Sequence, residues 1–186
     1  MRIISGTLKG RKLNFIKNST TRPLKDSVRE NIFNILIHSS HIKTKIINSN
    51  VLDLYSGIGS FGIECISRGA KKVTFIEHDK KASSVLRENL INLSIIDKTK
   101  IFIDNIDNVL NKNINEKFHI FFFDPPFTDP NFFKNIESIN KKKFFEKDHL
   151  LIIHRELRTI DNIEGPLKII DTKIYGRSKI IFCVFK

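Results

Sequence analysis

Residues 51–69, VLDLYSGIGSFGIECISRG, predict a strand, a glycine-rich turn and a helix in one uninterrupted run. A short apolar stretch comes first, and Gly57, Gly59 and Gly62 follow it with the spacing G-x-G-x-x-G. Glycine adopts backbone conformations that other residues avoid, so these positions suit a tight turn that a ligand can approach closely. Gly69 closes the helical part, as glycine often does at helix C-termini. The segment therefore predicts the first βα unit of a ligand-binding α/β fold.

Beyond this unit the chain alternates short apolar runs with amphipathic segments. Strands that alternate with helices form mostly parallel sheets covered on both faces, and ligands bind at the carboxyl ends of the strands. We therefore expect an α/β, Rossmann-like fold with a mostly parallel seven-stranded sheet. Its strands are predicted at VLDLY, KKVTFIE, KIFID, FHIFFFD and HLLIIHR, followed by LKIIDTKIYG and SKIIFCVF as a closing antiparallel pair.

The first 38 residues have a different pattern. The run RIISGTLKGRKLNFI predicts a small β-hairpin around Gly6 and Gly10, and the polar connection NSTTRP follows. The next segment, DSVRENIFNILIH, has helical spacing, and Ser27 with Glu30 three residues later is typical of a capping box. We expect a single domain in which residues 1–23 are a hairpin and linker appended to a core of residues 24–186.

Acidic residues follow the predicted strands at the edge where the glycine turn lies. Glu77 ends the second strand, twenty residues after Gly57, which is the spacing of the acid that binds ribose hydroxyls in dinucleotide folds. That spacing alone favours NAD. Asp53 argues against a pyrophosphate, because a carboxylate four residues before Gly57 would repel it. A carboxylate there would attract the sulfonium and ammonium groups of S-adenosylmethionine.

The pattern D-x-x-x-G-x-G over Asp53, Gly57 and Gly59 resembles motif I of Rossmann-like methyltransferases. This resemblance implies that the two glycines let the backbone approach the methionine and ribose parts of the cofactor, and that Glu77 binds the ribose hydroxyls. It also implies an acid near the adenine after the third strand. Asp104 is our candidate, and Asp107 is the alternative within the same DNIDN stretch.

A second motif, Asp124-Pro125-Pro126-Phe127, ends the fourth predicted strand. An exocyclic amino group on a base is a weak nucleophile, because its lone pair is delocalised into the ring. Two acceptors for its hydrogens, the Asp124 carboxylate and the Pro125 carbonyl, would favour a pyramidal nitrogen and aim its lone pair. Fixed proline φ angles would hold this loop, and Phe127 would stack on the base. We therefore predict that all four residues are catalytic.

Positive charge is concentrated at the N-terminus. Residues 1–50 hold ten Lys or Arg and two acidic residues, which is +8 of the formal net charge of +12. A basic end on a nearly neutral body indicates a polyanionic partner such as nucleic acid. Cys65 and Cys183 lie in apolar runs, so we expect reduced thiols and a cytoplasmic protein. The pattern contains no metal-ligand cluster, and we interpret the six histidines as structural or surface residues.

Three stretches together resemble the RsmD family, the 16S rRNA (guanine-966-N2)-methyltransferases. They are RIISGTLKGRKL, TRPLKDSVRENIFNIL and LDLYSGIGSFGIECISRGA, and the resemblance continues through FDPPF. The resemblance implies a class I methyltransferase fold, S-adenosylmethionine as cofactor, and transfer to the N2 amino group of a guanine in 16S rRNA. It also implies a monomer that acts on naked rRNA or on a small ribosomal subunit particle. The loop YSGIGSFG departs from the family, where small Ala or Ser residues are commoner, and the C-terminal third matches loosely.

Under this interpretation the basic N-terminus binds RNA phosphates. The candidates are Arg11, Lys12, Arg22 and Arg29, of which Arg22 and Arg29 are expected near the catalytic pocket. Two other functions stay open at this point. One is an amino methyltransferase for DNA adenine or another base, although 186 residues leave no room for a separate target-recognition domain. The other is a Rossmann-like nucleic-acid-binding module without catalysis, or one that uses NAD.

Overall fold

The fold is described from a computed structural model, which covers residues 1–16, 24–112, 114–129, 132–159, 163 and 165–186. Helices in these ranges are α1 (Asp26–His38), α2 (Ser60–Ser67), α3 (Lys80–Asn92), α4 (Ile106–Asn111) and α5 (Phe132–Lys142). The strands are β1 (Asn50–Leu54), β2 (Lys72–Ile76), β3 (Thr99–Phe102), β4 (Phe118–Phe123), β5 (Phe145–Glu156), β6 (Leu167–Tyr175) and β7 (Ser178–Phe185). A short 3₁₀ turn at Ile96–Lys98 connects α3 to β3.

The seven strands form one sheet with the order β3-β2-β1-β4-β5-β7-β6. Strands β1 to β5 are parallel, and β7 runs antiparallel to both β5 and β6. The chain moves outward from β1 to β3 and then returns to place β4 on the other side of β1. Such a reversal opens a crevice beyond the carboxyl ends of the two central strands. The predicted fold, with its closing antiparallel pair, is confirmed.

Successive residues of the central strands enter two separate apolar cores. Leu52 and Phe121 face the core that contains α4 and α5, whereas Val51 and Phe122 face the core that contains α1, α2 and α3. This arrangement follows from the two-residue period of a strand. Phe122 stacks on Phe61 of α2 with the ring centroids 4.0 Å apart. The phenylalanine run in β4 is therefore explained by burial on both faces of the sheet.

The N-terminal segment makes less regular pairing than a hairpin pattern predicts. Arg2 and Lys12 form an isolated antiparallel bridge, and backbone bonds such as Ile3 N–H to the Arg11 carbonyl at 2.9 Å pair the two arms as a short hairpin. The segment is also fixed to α2, where the backbone N–H groups of Ile4 and Ser5 donate to the Glu64 carboxylate at 2.8 and 2.9 Å. Side chains of this segment, Ile3 and Leu13 among others, are buried in the core beside α1 and α2.

Helix α1 forms where its apolar spacing predicts, but the capping box is wrong. The helix begins at Asp26, and the residue before it, Lys25, makes no side-chain capping hydrogen bond. Asp26 in the first turn forms an ion pair with Arg29 at 3.0 Å, which places a negative charge at the positive end of the helix. Within the described ranges, the helices are too short or too polar to cross a membrane.

Candidate active site

The glycine loop after β1 lies at the crevice. A side chain at each of its three glycine positions would meet different surroundings. Gly57 has a φ of +54°, and a Cβ built there would point into open space. A Cβ on Gly59 would lie 2.3 Å from Leu86, and one on Gly62 would lie 2.4 Å from the Phe75 ring. Gly57 therefore leaves room for a ligand against the backbone. Gly59 and Gly62 permit close packing, which is a second reason for glycine at position 59, and the approach of the cofactor to Gly59 stays a prediction.

Asp53 lies within β1 and is 1% exposed. One carboxylate oxygen accepts a hydrogen bond from the Gly62 N–H at 3.0 Å, so it anchors the first turn of α2 to the strand. Burial raises the pKa of Asp53 well above its ordinary value, and the negative charges of Asp124 and Glu77 add to this effect. The sequence predicted direct attraction of the cofactor's cationic groups. The structure corrects this explanation, because the carboxylate is buried and positions the loop.

Glu77 joins the loops that follow β1 and β2. One carboxylate oxygen accepts from the Gly57 N–H at 2.7 Å, and the other accepts from the Asp79 N–H at 2.8 Å. The side chain is 7% exposed. Asp79 in turn caps α3 by accepting from the Ala82 N–H at 2.7 Å. The predicted ribose-binding acid is thus held rigidly beside the open face of Gly57.

A cavity of about 370 Å³ lies between the loops that follow β1, β2, β3 and β4. The described side chains that line it include three aspartates and no lysine or arginine. The three carboxylates would repel a pyrophosphate, whereas a sulfonium or ammonium group suits an acidic wall. The residues present therefore fit S-adenosylmethionine better than NAD. The lining includes Tyr55, Ile76, His78, Asp104, Asp107 and Pro126.

Both predicted adenine-side acids, Asp104 and Asp107, line this cavity. Asp104 accepts hydrogen bonds from the Asn108 amide at 2.8 Å and from the Lys112 ammonium at 3.0 Å. The hydrogen bonds from Asn108 and Lys112 lower the pKa of Asp104, so this acid stays ionised. Because both residues line the cavity, Asp104 and Asp107 remain alternative candidates for the acid near the adenine.

The D-P-P-F segment follows β4 at the same edge. The Asp124 side chain is 24% exposed, Pro125 is buried and Pro126 is exposed. Arg155 donates to the Pro126 carbonyl at 3.2 Å and to the Phe127 carbonyl at 3.1 Å. These contacts hold the loop by its main chain. The role of the Pro125 carbonyl as the second acceptor stays a prediction.

His154 contacts the centre of the site, which the sequence interpretation of the histidines missed. Its Nδ1 lies 2.8 Å from Oδ1 of Asp124, and its ring meets the Phe127 ring edge to face at 5.7 Å. The signal in the sequence was the position of His154 near the carboxyl end of the predicted strand HLLIIHR, at the edge where the acids lie. The register of the strands, which the sequence does not show, places it at Asp124. Strand β5 pairs with β4 in parallel, with Ile153 opposite Phe123, so the next residue of each strand must meet at the edge.

Tyr55 is a second residue that sequence reasoning missed. It follows β1 with a φ of +59°, which is unusual for a residue with a side chain. Its hydroxyl donates to Asp129 at 2.8 Å and accepts from the Asn135 amide at 3.0 Å. Burial and the bond to Asp129 raise the pKa of Tyr55, so it remains a donor. Tyr55 therefore ties the end of β1 to the loop after β4.

The four candidate RNA-binding residues have different surroundings. Arg11 and Lys12 are exposed, although Arg11 also donates to the Asn92 carbonyl at 2.9 Å. Arg22 lies outside the described residues. The prediction for Arg29 is wrong, because its side chain is fully buried. Its guanidinium donates to the Arg2 carbonyl and to Asp26, and burial lowers its pKa.

Comparisons with known proteins agree with this geometry. Residues 1–184 match the family described as "Conserved hypothetical protein 95". "Ribosomal RNA small subunit methyltransferase D" of Buchnera aphidicola from Acyrthosiphon pisum is 37% identical, over 83% of this chain and 77% of that protein. The protein of the same name from Escherichia coli K12 is 30% identical, over 84% and 75%.

Solved structures give the same result. The structure titled "Putative methyltransferase yhhF from Escherichia coli" superposes with a TM-score of 0.85 at 26% identity, over 100% of this chain and 98% of that one. These findings confirm the predicted class I methyltransferase fold and S-adenosylmethionine as the cofactor. The chain therefore belongs to the RsmD family, whose curated members named above are small-subunit ribosomal RNA methyltransferases.

Proposed function

We propose that this protein methylates the exocyclic N2 amino group of a guanine in small-subunit ribosomal RNA. The single observation that carries the proposal is the position of Asp124. Its carboxylate ends β4, is partly exposed, and lies beside the acidic crevice formed with the loops after β1 and β2. A hydrogen-bond acceptor held at this edge is what a weakly nucleophilic amino group requires.

The cofactor is held in this proposal by three parts of the chain. The open face at Gly57 accommodates its methionine and ribose portion, and Glu77 beside it binds the ribose hydroxyls. Asp104 or Asp107 lies at the adenine side of the cavity. When bound, S-adenosylmethionine supplies a methyl group activated by a sulfonium centre. Asp53 contributes indirectly, because it fixes the loop to β1.

The D-P-P-F loop binds the substrate amino group through two hydrogen-bond acceptors. The Asp124 carboxylate accepts a hydrogen bond from one N–H of this amino group, and the Pro125 carbonyl accepts a hydrogen bond from the other. Arg155 holds the following carbonyls of Pro126 and Phe127, so the loop keeps its shape when the base enters. The Phe127 ring stacks on the base in this proposal. Pro126 acts through the main chain, and its exposed ring borders the cavity.

RNA is the substrate that the charge distribution and the relatives support. Residues 1–50 carry +8 of the formal net charge of +12, and Arg11 and Lys12 are exposed. Phe15, which follows them, is 49% exposed, and an exposed ring beside basic residues suits stacking on an unpaired base. Arg22 stays a candidate by sequence alone. We propose that residues 1–23 are the RNA-binding part and that residues 24–186 are the catalytic core.

The finer features follow from the family resemblance. We propose guanine 966 of 16S rRNA as the target, either in naked RNA or within a small-subunit particle, and a monomeric enzyme in the cytoplasm. The proteins of the family named above are bacterial and are named for ribosomal RNA, which supports this choice over DNA adenine.

Nucleoside analysis tests the proposal. Purified protein with labelled S-adenosylmethionine is offered unmodified 16S rRNA, assembled small subunits and duplex DNA in parallel. We expect label in N2-methylguanosine from an RNA substrate, at one position found by primer extension. Label in N6-methyladenosine, or label only in DNA, would contradict the proposal. In the same assay Asp124→Ala should lose the label. Its matched control is Asp97→Ala, because Asp97 is an exposed acid in the turn before β3, where a surface substitution has little effect.

A further inference from the structure

Three side chains from three different elements form a chain of hydrogen bonds that ends at Asp124. Ser178 Oγ lies 3.0 Å from His154 Nε2, and His154 Nδ1 lies 2.8 Å from Asp124 Oδ1. Strand β7 is antiparallel to β5, and Ser178 pairs with Glu156 in register. The start of β7 therefore lies at the same edge as the end of β5. This register places Ser178 beside His154.

The chemistry of the three groups fixes the direction of the first bond. An ionised carboxylate can only accept hydrogen bonds, so Nδ1 of His154 must carry the proton that lies between it and Asp124. A neutral imidazole then has its lone pair on Nε2 and accepts the Ser178 hydroxyl proton. A protonated imidazole would donate to Ser178 Oγ instead. In both the neutral and the protonated imidazole, Nδ1–H donates to Asp124. The Ser178 hydroxyl can bond to either form, so it does not fix the charge of the ring.

The surroundings of His154 hold its ring in place. Its side chain is 9% exposed, compared with 24% for that of Asp124, and the Phe127 ring packs against it edge to face. Its charged neighbours on β5 and on the β6–β7 turn are Arg155, Glu156 and Arg177. Arg177 lies 3.6 Å from Glu156, and Arg155 is directed to the Pro126 and Phe127 carbonyls. Asp124 is therefore the acidic group in hydrogen-bond contact with the ring.

We infer that His154 is a positioning residue for Asp124, and that Ser178 holds the far side of its ring in the tautomer that Asp124 requires. The Nδ1–H bond occupies Oδ1 and fixes the plane of the carboxylate. The other oxygen, Oδ2, then faces the crevice, where it accepts a hydrogen bond from the substrate amino group. This inference rests on the proposed function for the identity of that amino group. A carboxylate without this bond would rotate, and fewer of its orientations would align the nitrogen lone pair.

Three substitutions at His154 separate the bond from the bulk of the ring. The amide nitrogen of asparagine falls near the Nδ1 position, whereas that of glutamine falls near Nε2. We expect His154→Ala and His154→Gln to lower kcat by about tenfold, the effect of losing one charge-assisted hydrogen bond. His154→Asn should recover most of that loss, and Ser178→Ala should fall between. Across all variants the Kd for S-adenosylmethionine and the KM for RNA should remain near wild type, since His154 contacts Asp124 and Ser178 rather than the cofactor or the RNA.

Equal losses of kcat in His154→Asn and His154→Gln would overturn the inference. A change in KM with kcat unaltered would overturn it as well. A second measurement does not depend on activity. In ¹⁵N-histidine spectra of the full-length protein, the signal that disappears in His154→Asn should show a proton on Nδ1. A proton on Nε2 alone would overturn the inference whatever the kinetics. If the wild-type protein methylates no ribosomal RNA, the proposed function fails, and the Nδ1 proton still decides the hydrogen bond by itself.

Discussion

Glu77 accepts a hydrogen bond from the Gly57 N–H at 2.7 Å, which ties the end of β2 to the first glycine of the loop after β1. The same carboxylate accepts from the Asp79 N–H, and Asp79 caps α3. One buried acid therefore sets the relative positions of a glycine turn and a helix start. A carboxylate has more lone pairs than these two bonds use, so it can still accept from ribose hydroxyls.

This relationship predicts a specific defect for Glu77→Ala. The variant loses the ribose acceptor and the bond to Gly57, so its Kd for S-adenosylmethionine should rise by about 10- to 100-fold. Calorimetry checks this value. The control is Glu88→Ala, since Glu88 is an exposed acid on α3, and its Kd should not change. Equal affinities for the two variants would refute the role given to Glu77.

Gly57 and Gly176 provide a matched pair for the cofactor site. Their φ angles are +54° and +59°, and a Cβ at either position meets no atom within 4 Å. Alanine at each should cost similar stability, about 1 kcal/mol, because the left-handed conformation disfavours a side chain. Thermal unfolding should show that similarity. Only Gly57→Ala should weaken S-adenosylmethionine binding, and equal weakening in Gly176→Ala would contradict the placement of the cofactor.

The regular parts of this molecule could be predicted from sequence because their causes are local. The alternation of apolar runs with amphipathic segments fixes the parallel sheet, and the glycine spacing fixes the turn after β1. Acids after successive parallel strands must share an edge. Asp124 and Glu77 both raise the pKa of Asp53, so the three acids do lie close together at this edge.

The errors concern side-chain direction and burial, which depend on contacts distant in sequence. Arg29 looked like an RNA contact in a basic segment, but α1 directs it into the core beside Glu64, 35 positions away. His154 looked like one of six scattered histidines until the pairing of β5 with β4 placed it at Asp124. Asp53 was assigned to the ligand because sequence spacing does not show whether a carboxylate points into the crevice or under the loop.

Burial of Arg29 predicts a stability defect rather than a binding defect. Its guanidinium bonds Asp26 and the Arg2 carbonyl and lies 3.9 Å from buried Glu64. Arg29→Met should lower the free energy of unfolding by about 2 kcal/mol, because the Arg2 carbonyl loses its charged donor and Arg68 is left as the cation paired with Glu64. Urea unfolding measures this change. Arg11→Met, at an exposed arginine, should cost about 0.5 kcal/mol or less.

His149 predicts a pH dependence of stability. Its Nε2 accepts the Phe185 N–H at 2.9 Å, and its Nδ1 donates to the Glu146 carbonyl at 2.8 Å, so the neutral ring satisfies both. Burial lowers the pKa of His149. The folded state therefore prefers neutral His149, and its contribution to stability is present above the unfolded pKa of about 6.5 and is lost as pH falls.

Thermal unfolding between pH 7.5 and pH 5 tests this assignment. His149→Gln replaces the ring by a side chain that does not titrate in this range, and its oxygen can accept from Phe185. As pH falls, the Tm of His149→Gln should rise relative to the Tm of the wild type. A difference that stays constant over this range would show that His149 does not titrate with folding.

The central claim is that Asp124 grips the substrate amino group while other residues hold the cofactor. The most direct measurement is the single-turnover rate of methyl transfer to small-subunit rRNA by Asp124→Ala, together with its Kd for S-adenosylmethionine. We expect the rate to fall by about a thousandfold, as when a preorganised hydrogen-bonding group is removed from other active sites. The Kd should stay near the wild-type value. A near-normal rate, or a loss explained entirely by weaker cofactor binding, would contradict the claim.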